Sequence, residues 1–250
     1  MVCHVDHSTV ECYNLGTVSM MPSLLPVLEL CPAPTINCYV IHVRLQRQMS
    51  LTSMLHLDGV VYLELRTTPR AFPKESLDKA AYVEHVLNAI DIAQQKYPSI
   101  QARLILSIDR RDTLVEANEV VALATRFRAR GVVGVDLCGD PTKGDVSLFT
   151  TAMKTAKASE LNITVHFAEA ECSASETELQ TIMSWEPDRL GHVIHVPDNV
   201  KRQIASRKGI GLELCLSCNV QAKMIMGSFD AHHFGEWWQV DGPVVIPCVS

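Results

Sequence analysis

From residue 58 onward, short apolar runs alternate with longer stretches of helical period, and this alternation constrains the fold more than any other feature. VVYLELRTT (60 to 68) reads as a strand, and SLDKAAYVEHVLNAIDIAQQKY (76 to 97) as an amphipathic helix with Ser76 as its N-cap. ARLILSID (102 to 109) is a strand, followed by a helix over 113 to 130 that ends near Gly131. VVGVDLCGD (132 to 140) and ITVHFAE (163 to 169) are strands separated by a helix that starts near Asp145. RLGHVIHV (189 to 196) and GIGLELCLS (209 to 217) continue the alternation. VVIPCV reads as one more strand, demoted to an edge because Pro247 cannot donate to a ladder.

Short apolar strands alternating with helices imply a parallel sheet covered by helices. Two architectures compete, an open doubly wound sheet and a closed (β/α)8 barrel. No GxGxxG follows the first strand, which removes the commonest dinucleotide-binding version of the open sheet. Polar groups stand at the end of nearly every strand: Arg66 to Thr68, Asp109-Arg110, Asp136 to Asp140, His166 to Glu169 and Ser217 to Asn219. His192 falls in the middle of its strand. In a parallel barrel all carboxyl ends share one face, so these groups would form a single ring. The expected fold is therefore an α/β chain of the (β/α)8 TIM-type barrel class, incomplete at both ends. Residues 1 to 57 lack the pattern, which divides the chain into an atypical N-terminal segment and a barrel domain from 58 to 250.

Composition narrows the function. A formal net charge of −6 argues against a nucleic-acid partner or an anionic membrane surface. No apolar run approaches the roughly 18 residues that span a bilayer. The stretch VSMMPSLLPVLEL (18 to 30) resembles a weak signal core, but no Lys or Arg precedes Arg44, so no signal is expected. Nine cysteines are an odd number, and Cys138 and Cys215 sit inside apolar strands. Buried thiols in a reducing, cytoplasmic setting fit better than disulfides. Cys215 and Cys218 have CxxC spacing without the second pair that a zinc finger would add.

His166 and Glu169 carry the sharpest chemical signal. Side chains three apart on a strand point to opposite faces, so both reach one site only if the strand ends between them. His192 adds a second imidazole one strand later. A neutral imidazole can ligate zinc, and a glutamate beside a metal can move protons. Asp136 and Gly139 could hold a polar ligand, Gly139 by letting backbone approach closely. Each feature also has a plainer reading. A histidine at a strand end is often structural, Asp and Gly in a loop are usually turn chemistry, and Arg110-Arg111 is usually a solvated charge run. His232-His233 with Trp237-Trp238 reads best as a surface helix.

Taken in order, ELRTTPR, SIDRR, DLCGDPT, VHFAE, DRLGHV and LELCLSCN resemble the adenosine deaminase family of zinc-dependent TIM-barrel amidohydrolases, and most closely its adenosine deaminase-like, N6-methyl-AMP deaminase branch. The resemblance covers residues 58 to 238, about seven-tenths of the chain. It implies a cytoplasmic monomer that binds a purine nucleotide and one zinc ion, with no nucleic-acid or membrane partner. The reaction implied is hydrolytic deamination of a purine nucleoside monophosphate, N6-methyl-AMP giving IMP and methylamine. By this resemblance His166 is the zinc ligand of the fifth strand. Glu169 protonates the purine N1, and His192 steers the attacking hydroxide. Gly139 holds the purine ring through its backbone. Thr67, Thr68, Pro69 and Arg70, with Asp109, form the segment that the branch uses for the nucleotide. An arginine at a strand end suits a phosphate, because its planar donors match the oxygens.

Two departures stand against the family pattern. The family opens its barrel with an HxH pair, and this sequence has none: His4 and His7 are three apart, and His42, His56 and His85 stand alone. An aspartate pair should follow the last strand, but the sequence reads GPVVIPCVS, and Asp241 precedes the strand. The alternative reading is therefore a truncated, catalytically inactive isoform that lacks these zinc ligands.

Overall fold

In the computed structural model, residues 2–3 and 60–249 are described. Eight parallel strands follow one another around a single ring: β1 (Val2–Cys3), β2 (Tyr62–Thr67), β3 (Gln101–Asp109), β4 (Val132–Cys138), β5 (Asn162–Phe167), β6 (Arg189–His192), β7 (Gly211–Leu214) and β8 (Val244–Val249). The expected barrel is present. Its incompleteness falls on β1, a two-residue strand that pairs with both β2 and β8 and joins the ring. VVIPCV is not an edge: it pairs with β7 on one side and β1 on the other, Leu214 standing opposite Pro247. The remainder of segment 1 to 57, with the signal-like stretch, lies outside the described residues.

The connecting helices are α1 (Lys79–Lys96), α2 (Leu114–Phe127), α3 (Thr150–Ala158), α4 (Glu176–Met183), α5 (Asp198–Ser206), α6 (Leu216–Gln221) and α7 (Phe234–Trp238). Their starts follow local chemistry. Thr113 and Glu116 form a reciprocal capping box at α2, and Ser175 caps α4. Helix α1 is capped by Asp78, which accepts from Ala81 N at 2.7 Å, and not by Ser76. The cause is local, because Phe72 and Leu77 pair as an isolated bridge and hold Ser76 in a left-handed turn. The arginine-rich end of α2 tightens into a 3-10 turn that Gly131 terminates at φ +110°, as its position suggests.

Alternate strand residues point to opposite faces, and the two faces differ in kind. Leu63, Leu65, Leu104, Leu106, Val135, Leu137, Val165 and Phe167 are buried in one apolar cluster with helix residues such as Val83, Leu87, Val120 and Ile182. Apart from Ile105, the intervening positions of these pairs are polar: Glu64, Asp136 and His166. Arg66 of β2 pairs with Glu213 of β7 and lies 3.6 Å from Asp136 of β4. Arg189 of β6 binds Glu213 at 3.0 Å and Glu64 at 2.5 Å. Thr164 and Ser107 add hydroxyl contacts to Glu213 and Asp136. The strands, which read in sequence as short apolar runs, thus enclose a buried ionic network. Its sign in sequence is the period-two spacing of Glu64-Arg66 and of Thr164-His166.

Candidate active site

Strand β5 stops at Phe167, and Ala168 turns left-handed at φ +50°. The turn falls between His166 and Glu169, the condition under which both side chains can reach one site. On the neighbouring strand, β6 ends at His192 itself, where His192 and Val193 take φ of +61° and +55°. The strand is shorter than RLGHVIHV suggests, because the chain leaves the ladder after His192. Val193 N donates to Phe167 O and His195 N to Ala168 O, so the two strand ends hold each other in this conformation. Left-handed non-glycine residues cost roughly 1–3 kcal/mol each and tend to mark sites where side-chain direction matters. His166 and His192 rings lie 5.1 Å apart between centroids, and His192 Nε2 is 3.6 Å from Glu169 Oε1.

The two imidazoles have opposite electrostatics. Burial pulls His166 down, but the Asp136 carboxylate 3.3 Å from Nδ1, aided by Glu169, outweighs it and holds the pKa at about 9. The interior charges explain the sign, since the guanidiniums of Arg66 and Arg189 face the carboxylates of Glu64, Asp136 and Glu213. Protonated His166 balances that excess. His192 is held below the ordinary histidine value, chiefly by burial, with Glu169 opposing. Its Nδ1 lies 2.9 Å from Asn219 Oδ1, and Asn219 Nδ2 lies 3.1 Å from His232 Nε2. His233 Nε2 donates to the His192 carbonyl at 2.6 Å.

Gly139 and Asp109 meet at the ends of β4 and β3. Gly139 has φ +102°, and a Cβ there would lie 2.6 Å from Asp109 Oδ1, so only glycine fits the approach. Burial raises the Asp109 pKa, but the bonds from Arg111 at 2.7 and 2.5 Å, with Arg70 nearby, hold it below the usual carboxylate value. Pro69 is buried, and Thr68 and Arg70 are half-buried. Thr67 differs from its neighbours: its hydroxyl lies 2.7 Å from Tyr82 OH on α1, on the helix side of β2. Arg110 is no solvated charge, being 3% exposed and bonded to Glu178 at 2.5 Å. Asp136, fully buried among Arg66, Ser107 and His166, is part of the interior network.

Nor is the tandem histidine a surface feature. His232 and Trp237 are buried, and only Trp238 of the aromatic pair is exposed. Asn219, His232 and His233 were missed as site residues because nothing local in sequence ties them to His192. Their contacts span 13 to 41 residues.

A hydrolytic zinc site takes about three protein ligands and keeps one position open. Among the described residues, no group of three or more His, Cys, Asp or Glu is placed to hold a metal ion. His166 would have to give up its proton to ligate, and Asp136 is shared between His166, Arg66 and Ser107. Asp241 is exposed in the loop before β8. The described residues therefore do not compose a zinc centre.

A parallel (β/α)8 barrel with imidazoles and a carboxylate at the strand ends is the architecture of the metal-dependent hydrolase class. Within that class the affiliation is specific, since the adenosine deaminase family matches residues 44–245. The chain belongs to the adenosine deaminase family. It is 38% identical over 198 residues to N6-Methyl-AMP deaminase-L of Xenopus laevis, covering 76% of this chain and 54% of that protein. The crystal structure of Arabidopsis N6-mAMP deaminase MAPDA superposes with a TM-score of 0.75 at 35% identity, over 82% of this chain and 61% of that one. The Arabidopsis ADAL structure complexed with IMP gives a TM-score of 0.74 at 34% identity, over 82% and 60%. The chain spans about half the length of the curated relatives it matches.

Proposed function

We propose that this chain seats a purine nucleoside monophosphate at the carboxyl ends of its strands, and that the seat serves hydrolytic deamination at C6, N6-methyl-AMP giving IMP and methylamine. The observation that carries this reading is the juxtaposition of His166, His192 and Glu169 across the ends of β5 and β6. Glu169 is the proton carrier, delivering its proton to the purine N1 and freeing the ring to accept attack at C6. His192 lies beside it as a neutral donor to the developing oxygen. Gly139 supports the purine through its backbone, and Thr68, Pro69, Arg70 and Asp109 form the rim for ribose and phosphate. Thr67 contributes by anchoring that rim to α1 through Tyr82. The relatives in complex with IMP and named for N6-methyl-AMP support the substrate class. The same reading makes the chain a monomer of the cytoplasm.

One observation favours a second reading, binding without turnover. The family chemistry is zinc-dependent, and the described residues offer His166 without the companions that would complete a centre. Chromatographic turnover of N6-methyl-AMP, with and without added zinc, separates the two. The deaminase reading predicts IMP formation that falls by about 10²–10⁴-fold in Glu169→Gln, while IMP binding persists. Nucleotide binding with no product under either condition supports the second reading. Product formation insensitive to Glu169→Gln contradicts the assignment of this site.

A further inference from the structure

The tandem His232-His233 reaches His192 from outside the substrate seat, and its hydrogen bonds determine where the His192 proton sits. His232 Nδ1 lies 2.9 Å from the backbone nitrogen of Phe234, the first residue of α7. That nitrogen is an obligatory donor, so His232 Nδ1 accepts and carries no hydrogen. The ring proton must then reside on Nε2. This Nε2 faces the amide of Asn219, a residue with no exposed surface, whose other end faces His192 Nδ1.

An amide has an acceptor end and a donor end of nearly the same shape. With Oδ1 turned to His192, the Asn219 NH2 would confront the Nε2–H of His232, donor against donor. A buried donor left without an acceptor has given up its hydrogen bond to water for nothing in return. A half-turn of the amide, which exchanges its oxygen and nitrogen between the same two positions, removes the conflict. His232 Nε2–H then donates to the Asn219 oxygen, and the Asn219 NH2 donates to His192 Nδ1. His192, accepting at Nδ1, carries its own proton on Nε2, 3.6 Å from Glu169 Oε1.

We propose that Asn219 and His232 are positioning residues that fix His192 as the Nε2–H tautomer and aim that N–H at the Glu169 carboxylate. The opposite tautomer would face the carboxylate with a lone pair, so the relay decides whether the His192–Glu169 contact is attractive. His233 completes the hold by donating to the His192 carbonyl, which fixes the backbone at its left-handed turn. The relay begins at the first N–H of α7 and so ties the placement of that helix to the orientation of one imidazole. The inference rests on the proposed deaminase reading only for the use made of Glu169. The tautomer itself is a property of the chain without nucleotide.

The test is long-range ¹H–¹⁵N NMR of the imidazole nitrogens in the full chain, without nucleotide, with His192→Asn and His232→Gln spectra used for assignment. The relay predicts protonated Nε2 and unprotonated Nδ1 for both His192 and His232. A His192 proton on Nδ1 overturns it, and this measurement needs only the wild-type fold. In His232→Phe the Asn219 amide loses its bias, so the His192 nitrogens should move toward a tautomer average. His192 shifts unchanged in His232→Phe would also overturn the relay. Because no nucleotide is present, failure here is distinct from failure of IMP to bind.

Discussion

Single residues set the geometry of the mouth, and Gly139 is the clearest case. Its φ of +102° and the 2.6 Å separation that a Cβ would have from Asp109 leave no room for a side chain. Gly139→Ala should cost about 1–2 kcal/mol for the left-handed backbone alone. It should also push Asp109 away from Arg111. Thermal denaturation would show the loss as a lower Tm, and an unchanged Tm would contradict the close approach. Much of this scale was legible in sequence. His166 and Glu169 announce themselves because a strand built for burial ends in an imidazole and a carboxylate, and the left-handed Ala168 between them makes the pairing physical. Asn219 and His232 do not announce themselves. A buried amide between two imidazoles exists only after β6, α6 and α7 have packed, and no local period encodes it.

Elements were legible where their limits are local. Thr113 with Glu116, and Gly131, bound α2 at the places their chemistry suggests. The misplacements come from pairings outside the element itself: the local Phe72–Leu77 bridge moved the start of α1, and the tertiary contacts between the ends of β5 and β6 stopped β6 at His192. The larger omission is the ionic interior, read as apolar although Glu64 and Arg66 alternate with Leu63 and Leu65. This network makes a strong demand on stability. Arg66→Ala would leave Asp136 and Glu213 buried beside a missing charge, a loss of about 3–5 kcal/mol in chemical denaturation. The double replacement Arg66→Met with Glu213→Met removes both members of one pair and should lose less than the single variant. A loss below ~1 kcal/mol for Arg66→Ala would mean that the interior charges are solvated.

At the scale of the whole molecule, the order of strands was legible and the closure was not, because a two-residue β1 leaves no pattern to find. The buried histidines predict how the metal-free chain responds to pH. His166 has a folded pKa of about 9 against an ordinary 6.5, so the folded state binds the extra proton between these values. Its stabilisation is complete below pH 6.5 and is lost as pH rises toward 9. His232 behaves oppositely. Burial, then His233, lowers it to about 4, so the unfolded state binds the extra proton and stability falls as pH drops from 6.5 toward 4. Melting temperature against pH should therefore decline on the alkaline side in wild type and flatten there in Asp136→Asn. An alkaline decline retained in full by Asp136→Asn would contradict the pairing with His166. Whether a purine nucleotide sits at this mouth is read out by calorimetric titration of IMP into the folded chain. Binding should be saturable and one-to-one, and Gly139→Ala should weaken it sharply; a flat titration with folded wild-type protein would rule out a nucleotide seat at these strand ends.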